Sequence, residues 1–299
     1  MKKSSVLYST LLFSIIFACG CDEGSGSPGP SGSHAGAAGS HAGAAGGDSS
    51  SGGTSGAGGA DATGGTGGGN VITGPVFPPD VTTPKIMIVG DSISAGPGCW
   101  KKYLLQNLQD NGYTDFEFVG EYTDDCGGGV MHSAVSCTTS YNFTQETFMV
   151  SACFPDEVFP GMATLVATHD PDMILIQLGV NDVWGGSAAI DPILNNYSTL
   201  VEQARAHNPN IVIVVAQIHK IITNDCANDA STTNAQELVE AVPGWAAGVT
   251  TEDSPVFVAD LWTNSDPTEA ADCVHPNDAG AQRMGLNWYN ALQDLLPHE

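Results

Sequence analysis

Three short segments of the chain carry side chains of the types that nucleophilic catalysis requires. Gly90-Asp91-Ser92 places a hydroxyl just past an apolar run, after a glycine that we expect to let the backbone swing away. Gly179-Val180-Asn181-Asp182 supplies an amide donor, and Asp272-Cys273-Val274-His275 supplies a carboxylate three residues before an imidazole. That spacing lets Asp272 meet one ring nitrogen of His275 while the other nitrogen faces Ser92. The segments therefore predict a serine nucleophile, a histidine base and a carboxylate partner.

The elements that must position these segments are short apolar strands alternating with helices. Strands are predicted at residues 85–89, 116–119, 173–178, 211–217 and 256–259. Helices are predicted at residues 100–110, 192–206, 234–247 and 277–296. Several runs lack polar alternation, which is typical of parallel strands buried on both faces. The alternation predicts a doubly wound α/β sandwich, whose binding crevice lies beyond the carboxyl ends of the strands.

The order and spacing of the three segments resemble those of the SGNH (GDSL) hydrolase family, over residues 85–296. The resemblance implies a flavodoxin-like three-layer α/β/α sandwich around a five-stranded parallel sheet. It also implies that Ser92 is the nucleophile, that His275 is the general base and then the acid, and that Asp272 orients it. The implied oxyanion hole is made by the backbone N–H of Ser92, the side-chain amide of Asn181 and a backbone N–H from a further segment. No cofactor or metal is required by this mechanism.

That further segment is where this chain departs from the family. The family's carbohydrate-esterase branch has His-x-Gly-type text there, whereas this chain reads Met131-His132-Ser133-Ala134-Val135-Ser136. The best match puts Ala134 at the oxyanion-hole glycine, which alanine can replace unless the position needs a positive φ. Residues 127–129, all glycine, are the alternative. His132 is interpreted as either a substrate contact or a surface-loop histidine.

Similarity to the family's acetylxylan-esterase-like members, in the run Pro97-Gly98-Cys99-Trp100 and in the pairing of Asn181-Asp182 with Trp184, suggests an esterase that removes O-acetyl groups from polysaccharides. Trp184 is predicted to stack on a sugar ring, with core packing as its alternative. Gln217 and His219 follow the fourth strand, where substrate contact and structural hydrogen bonding are equally compatible with the sequence. A lipase or lysophospholipase, acyl transfer to a sugar hydroxyl, and a non-catalytic glycan-binding lipoprotein remain alternative functions.

Charge and the amino-terminal segment define the setting of this domain. With 33 acidic against 8 basic residues and a net charge of -25, the chain lacks the cations that nucleic-acid binding needs. Residues 1–21 resemble a signal peptide with a lipoprotein cleavage box, the lipid being expected on Cys19 or else Cys21, with plain secretion as the alternative. Residues 22–80 are predicted to be a Gly/Ser/Ala-rich tether and residues 81–299 the hydrolase domain. We expect a monomer whose partners are acylated carbohydrates or other small esters.

Six further cysteines lie in the predicted domain, and an even number in an exported domain favours disulfides. Sequence alone does not choose among the 15 possible pairings. The pairing that we favour is Cys99 with Cys126, Cys137 with Cys153, and Cys226 with Cys273. A zinc site is the less favoured alternative, because the cysteines lack close paired-ligand spacing.

Overall fold

The computed structural model describes residues 76–96, 98–123, 126–184, 189–221 and 229–298 of the chain. Its strands are β1 (Lys85–Gly90), β2 (Glu117–Val119), β3 (Tyr122–Thr123), β4 (Met131–His132), β5 (Thr147–Val150), β6 (Phe154–Pro160), β7 (Met173–Gln177), β8 (Val212–Gln217) and β9 (Val256–Asp260). Its helices are α1 (Ser92–Ala95), α2 (Trp100–Asp110), α3 (Ser140–Thr144), α4 (Met162–His169), α5 (Val180–Val183), α6 (Ile190–His207), α7 (Asp229–Val249) and α8 (Asp278–Leu292), with a 3-10 turn at Pro267–Glu269.

The core of the fold is a five-stranded parallel sheet in the order β2-β1-β7-β8-β9. All five residues of β7 are buried, because this central strand is covered on both faces by helices. On one side α2 packs on α8, where Trp100 and Trp288 stack with ring centroids 5.6 Å apart. Helix α6 packs against both α4 and α7. The predicted α/β architecture is confirmed.

The order of the strands reverses between β1 and β7. The chain first moves from β1 outward to β2, and then returns to place β7 on the other side of β1. In open α/β sheets the loops at such a reversal diverge and leave a crevice beyond the strand ends. The loops that leave β1 and β7 here begin with the two segments that contain Ser92 and Asn181.

All five predicted strands and all four predicted helices are present; α2 has the predicted ends, and the ends of the others are shifted. The last helix begins at Asp278 instead of residue 277, because the Asn277 side chain accepts a hydrogen bond from the Gly280 N–H and so forms the N-cap. It ends at Leu292, before the predicted residue 296. Short elements that lack a sequence period, including the β3–β4 pair and the β5–β6 hairpin, were not predicted.

Two of the favoured disulfides, Cys99–Cys126 and Cys137–Cys153, are present. Cys273 is also disulfide-bonded, and its predicted partner Cys226 lies outside the described residues. The predicted signal segment and most of the predicted tether, residues 1–75, likewise lie outside them. Within the described part of the chain, no helix has both the length and the apolar character needed to span a bilayer.

Candidate active site

The fold brings Ser92, His275 and Asp272 into one hydrogen-bonded line. The Ser92 Oγ atom lies 2.9 Å from His275 Nε2, and His275 Nδ1 lies 2.8 Å from Asp272 Oδ2. Ser92 and His275 are 183 residues apart in sequence, so only the tertiary fold joins them. A neutral imidazole that donates from Nδ1 to the carboxylate presents Nε2 as an acceptor to the hydroxyl. The line therefore can remove a proton from Ser92 when the hydroxyl attacks a substrate.

The Asp272 carboxylate is held by its own loop. Its Oδ1 atom accepts hydrogen bonds from the backbone N–H groups of Val274 at 2.8 Å and His275 at 2.7 Å. Burial alone would raise the pKa of Asp272, but these two N–H donors and the His275 ring together lower it below its usual value. Asp272 is therefore ionised at neutral pH and can stabilise a positive charge on the imidazole.

The serine stands at the first position of the four-residue helix α1. Asp91 is the N-cap, and its Oδ1 atom accepts a hydrogen bond from the Ile93 N–H at 3.0 Å. The requirement for Gly90 is spatial: a Cβ atom there would lie 2.5 Å from Ser94 Oγ and 2.9 Å from the Gln177 carbonyl oxygen. Its φ is not positive, so close packing explains this glycine, and the expected conformational freedom does not. Cap and packing together fix the turn that holds Ser92 at the end of β1.

The turn contains a buried carboxyl group, Asp91, which interacts with the charge of the partly buried Asp182. Asp91 is only 1% exposed, and its Oδ2 atom has no hydrogen-bond partner. Burial, with a smaller contribution from the charge of Asp182, raises the pKa of Asp91 to about 7. Burial also raises the pKa of Asp182. At neutral pH the Asp91 carboxyl is thus divided between its neutral and charged forms, directly beside the nucleophile.

Asn181 occupies the first turn of α5, at the end of β7. The preceding Gly179 has a φ of 116°, and a Cβ atom there would lie 2.8 Å from Tyr197 Oη. Both the backbone angle and the lack of space therefore require glycine. The Asn181 side-chain amide donates to the Thr138 carbonyl oxygen at 2.9 Å, which fixes its orientation. One N–H bond of an amide group is used in this way, and the amide carries two.

The segment around Ala134 runs along the end of β1. Its neighbours Ser133 and Val135 donate backbone hydrogen bonds to the carbonyl oxygens of Ile88 and Gly90, at 2.8 and 3.0 Å. Ala134 is therefore placed beside the residues that lead into Ser92, and its φ is not positive, so alanine is tolerated. The alternative glycines lie elsewhere: a Cβ atom on Gly128 would contact Lys102 of α2.

The Ala134 N–H lies 3.2 Å from His132 Nδ1, which accepts its hydrogen bond. His132 is 3% exposed, so the interpretation of a surface-loop histidine is wrong. Burial, followed by the nearby charge of Lys101, lowers the pKa of His132 to about 3. The ring is consequently neutral, and its Nδ1 atom remains an acceptor throughout the neutral pH range.

Two exposed aromatic side chains lie in or beside α3 and α5, two helices that are connected by hydrogen bonds next to Asn181. Trp184 directly follows α5, two residues after Asp182, and is 37% exposed, and Tyr141 in α3 is 58% exposed. The Asp182 carboxylate connects these elements, because it accepts from the Ser140 N–H at 2.9 Å and from the Ser140 hydroxyl at 2.6 Å. Trp184 is thus not core, and Tyr141 is an exposed aromatic that no sequence pattern distinguished.

Gln217 and His219 both make structural hydrogen bonds. The Gln217 side-chain amide donates to the Val239 carbonyl oxygen of α7 at 2.8 Å, and His219 Nε2 lies 2.5 Å from the Val274 carbonyl oxygen. The structural role of Gln217 is therefore present, and its predicted substrate contact stays a prediction. Among the described residues, no group of three or more His, Cys, Asp or Glu side chains is arranged to hold a metal ion.

Comparison with known proteins gives one matching family. Residues 88–283 match the GDSL-like Lipase/Acylhydrolase family. A multidomain esterase of Ruminococcus flavefaciens is 26% identical over 227 residues, which are 72% of this chain and 29% of that protein. The chain therefore spans less than a third of the length of that relative.

Solved structures show the same fold. An acetyl esterase mutant determined with an acetate ion has a TM-score of 0.60 and 25% identity, covering 71% of this chain and 98% of that one. A carbohydrate esterase family 3 protein from Talaromyces cellulolyticus has a TM-score of 0.60 and 26% identity, with the same coverage. The aryl esterase of M. smegmatis, at 18% identity and a TM-score of 0.53, shares the fold over 72% of this chain and 100% of its own.

Proposed function

The chain belongs to the GDSL-like lipase/acylhydrolase family, and from this premise we propose that it is a carboxylic ester hydrolase. More closely, we propose an exported serine esterase that removes O-acetyl groups from polysaccharides. The observation that carries the proposal is the continuous line of Ser92 Oγ, His275 and Asp272, with contacts of 2.9 and 2.8 Å. One fold and one triad can serve many acyl groups, so the triad alone does not select an acetyl group or a polysaccharide.

In the first half of the reaction, Ser92 Oγ attacks the ester carbonyl carbon while its proton moves to His275 Nε2. The imidazolium that forms is stabilised by the ionised Asp272 carboxylate at Nδ1. When the tetrahedral intermediate collapses, Nε2 returns that proton to the oxygen of the leaving alcohol. The product is an acyl group esterified to Ser92.

In the second half, a water molecule replaces the alcohol. His275 Nε2 takes a proton from the water as its oxygen attacks the acyl carbon, and then returns the proton to Ser92 Oγ as the acid leaves. The negative carbonyl oxygen in both halves needs N–H donors, for which we propose the backbone of Ser92, the backbone of Ala134 and the Asn181 amide. Removing one such donor typically costs about 10² to 10³ in rate.

The Ala134 donor must exchange its partner during the reaction. In the structure this N–H is directed to neutral His132 Nδ1 at the long distance of 3.2 Å. A negatively charged oxygen accepts a stronger hydrogen bond than a neutral imidazole does, so the N–H is better used once the oxyanion has formed. A donor that gains strength only at that stage lowers the barrier without tightening the binding of the substrate.

A polysaccharide substrate is supported by the exposed aromatic side chains. Trp184 and Tyr141 leave 37% and 58% of their surfaces exposed on elements that the Asp182–Ser140 hydrogen bonds join. Aromatic faces of this kind suit stacking with the apolar faces of sugar rings. The similarity to an acetyl esterase and to a carbohydrate esterase supports the same substrate class.

Export and lipid attachment are proposed from the amino-terminal sequence, where Lys2 and Lys3 precede an apolar run that ends in Ala18-Cys19-Gly20-Cys21. The full-length protein expressed in a bacterial host should partition into the membrane fraction, and Cys19→Ala should release it. If Cys21→Ala alone releases it, the lipid is on Cys21. If the wild-type protein is already absent from the membrane fraction, it is secreted without lipid, and membrane binding that survives both substitutions refutes lipid attachment at these cysteines.

The decisive experiment measures ester hydrolysis by the purified protein on acetyl and octanoyl nitrophenyl esters and on acetylated xylan. Ser92→Ala should abolish acetate release and the labelling of the protein by a serine-directed phosphonate. Ser94→Ala is the matched control: it is the other serine of the same helix, it is fully buried, and its hydroxyl contacts Gln177 Oε1 at 3.3 Å. Ser94→Ala should retain activity.

Each alternative function predicts a different result. A preference for the octanoyl ester indicates a lipase, and diversion of the acetyl group to an added sugar acceptor indicates an acyltransferase. If neither wild type nor Ser92→Ala releases acetate, while both retain acetylated xylan equally on a column, the protein is a glycan-binding protein and the proposed hydrolysis is refuted.

A further inference from the structure

His219 is a partly buried histidine outside the line of Ser92, His275 and Asp272, and it contacts the loop that carries two of them. It follows the end of β8, 55 residues before Val274. Its Nε2 atom lies 2.5 Å from the Val274 carbonyl oxygen. Because a carbonyl oxygen can only accept, Nε2 carries the proton and donates this hydrogen bond.

The other ring nitrogen determines the charge of His219. Its Nδ1 atom is buried and has no hydrogen-bond partner. Desolvation of the ring, with a smaller contribution from the neighbouring His275, lowers the pKa of His219 to about 4, against the opposing effects of the bond to Val274 and the charge of Asp272. His219 lines a cleft, and the charged side chains that line it as well are Lys220, Asp266, Glu269 and Arg283. At neutral pH the ring is therefore a neutral, fixed donor.

The carbonyl that His219 holds belongs to the peptide group between Val274 and His275. The N–H of that same peptide group donates to Asp272 Oδ1 at 2.7 Å. The peptide is thus fixed at both ends, by an imidazole on its oxygen and a carboxylate on its nitrogen. A hydrogen bond to the oxygen also polarises the peptide and strengthens its N–H as a donor.

The rest of the loop is fixed at its base. Ala270 and Pro276 form an isolated antiparallel bridge, and the Ala271 N–H donates to the His275 carbonyl oxygen at 2.8 Å. These contacts lie at the two ends of the loop. His219 lies just beyond the end of β8, and its hydrogen bond to Val274 therefore connects the loop to the sheet that also positions Ser92.

We propose that His219 is a positioning residue for the reaction: through the Val274 carbonyl it orients the peptide that binds Asp272, and so aligns the carboxylate with the His275 ring. It touches no substrate atom. This inference rests on the proposed hydrolysis at Ser92. A small misalignment of catalytic groups can reduce the rate by about 10²-fold, so the loss of this contact should act on kcat.

The test compares His219→Phe with His219→Gln in the full-length protein. Phenylalanine retains a ring of similar size and removes the donor, whereas glutamine carries an amide N–H that can reach the same carbonyl oxygen. Active sites are counted with a serine-directed phosphonate, so that any loss of folded protein is removed from kcat. We expect His219→Phe to lower kcat on the acetyl ester by about 10- to 100-fold with KM within twofold, and His219→Gln to recover most of it.

A second readout does not need turnover. In protein with ¹⁵N-labelled histidine, the His275 Nδ1 proton should exchange with water faster in His219→Phe than in wild type, and at the wild-type rate in His219→Gln. If His219→Phe only lowers Tm and leaves both kcat per active site and this exchange unchanged, His219 is merely structural and the inference is wrong. Equal losses in both variants also refute it, because the donor would then not be the feature that matters. Inactive wild type refutes the proposed function instead, and the proton exchange still decides the role of His219.

Discussion

Replacing Asp91 by asparagine should make the protein more stable, and increasingly so as the pH rises. Asparagine has the same shape and is an equally good N-cap, because its side-chain oxygen can accept from the Ile93 N–H that Asp91 now binds at 3.0 Å. What the substitution removes is a carboxyl group that must ionise while buried, with one oxygen lacking any partner. The Asp91→Asn variant therefore isolates the cost of that charge.

The size of the effect follows from the pKa of Asp91. Burial raises this pKa from 3.8 to about 7, so the unfolded chain loses its proton at lower pH than the folded protein does. Below the unfolded value of 3.8 no penalty exists, and stability then falls as the pH rises to about 7, above which the loss is complete. At about 1.36 kcal/mol per pH unit, the full penalty is about 4 kcal/mol.

The assay is urea unfolding of wild type and Asp91→Asn at pH 5 and pH 8.5. From the same pKa values the penalty is about 2 kcal/mol at pH 5, so the advantage of the variant should grow by about 2 to 3 kcal/mol between the two conditions. All other titrating groups are common to both proteins and cancel in the difference.

Asp266→Asn is the matched control. Asp266 is also a cap, its side chain accepting from the Thr268 N–H at 2.8 Å, but it is exposed, and that bond lowers its pKa. Asp266 is therefore ionised at both pH values in both states, and the difference between wild type and Asp266→Asn should not change. A constant difference for Asp91→Asn as well, or one that shrinks at pH 8.5, would refute the account of a buried, ionising Asp91.

Three further predictions concern the carboxylate, the aromatic side chains and the disulfides. Asp272→Asn should lower kcat by about 10² to 10⁴-fold with little change in KM, because the neutral amide no longer holds the His275 tautomer. Steady-state kinetics on the acetyl ester checks this prediction, and an effect confined to KM would contradict it. Tyr141→Ala and Trp184→Ala should each raise KM several-fold on acetylated xylan and leave nitrophenyl acetate unaffected; equal effects on both substrates would argue against sugar stacking. Replacing the Cys137–Cys153 disulfide by two serines should reduce the free energy of unfolding by about 3 kcal/mol, because the bond closes a loop of 16 residues. Urea unfolding measures this loss, and an unchanged unfolding midpoint would show that the loop is already ordered without the disulfide.

The sequence by itself determined the strands of the sheet, the main helices that follow them and the candidate catalytic residues. Its strands contain continuous apolar runs, such as residues 173–176 of β7, and burial on both faces produces that pattern without any need for distant partners. Ser92, Asn181 and His275 could be singled out because each stands in a short segment after such a strand. The parallel order of the strands then places these segments at one edge of the sheet.

Only the tertiary structure decided the environment of each side chain. The partner of His219, the burial of His132 and the exposure of Tyr141 depend on contacts between segments far apart in the chain, and local periodicity carries no information about them. The reason for Gly90 was likewise mistaken, because the atoms that exclude a Cβ there belong partly to Gln177 of another strand. The pKa of Asp91 is the clearest case: Gly-Asp-Ser in the sequence is a turn, and only burial in the folded protein raises that pKa to about 7.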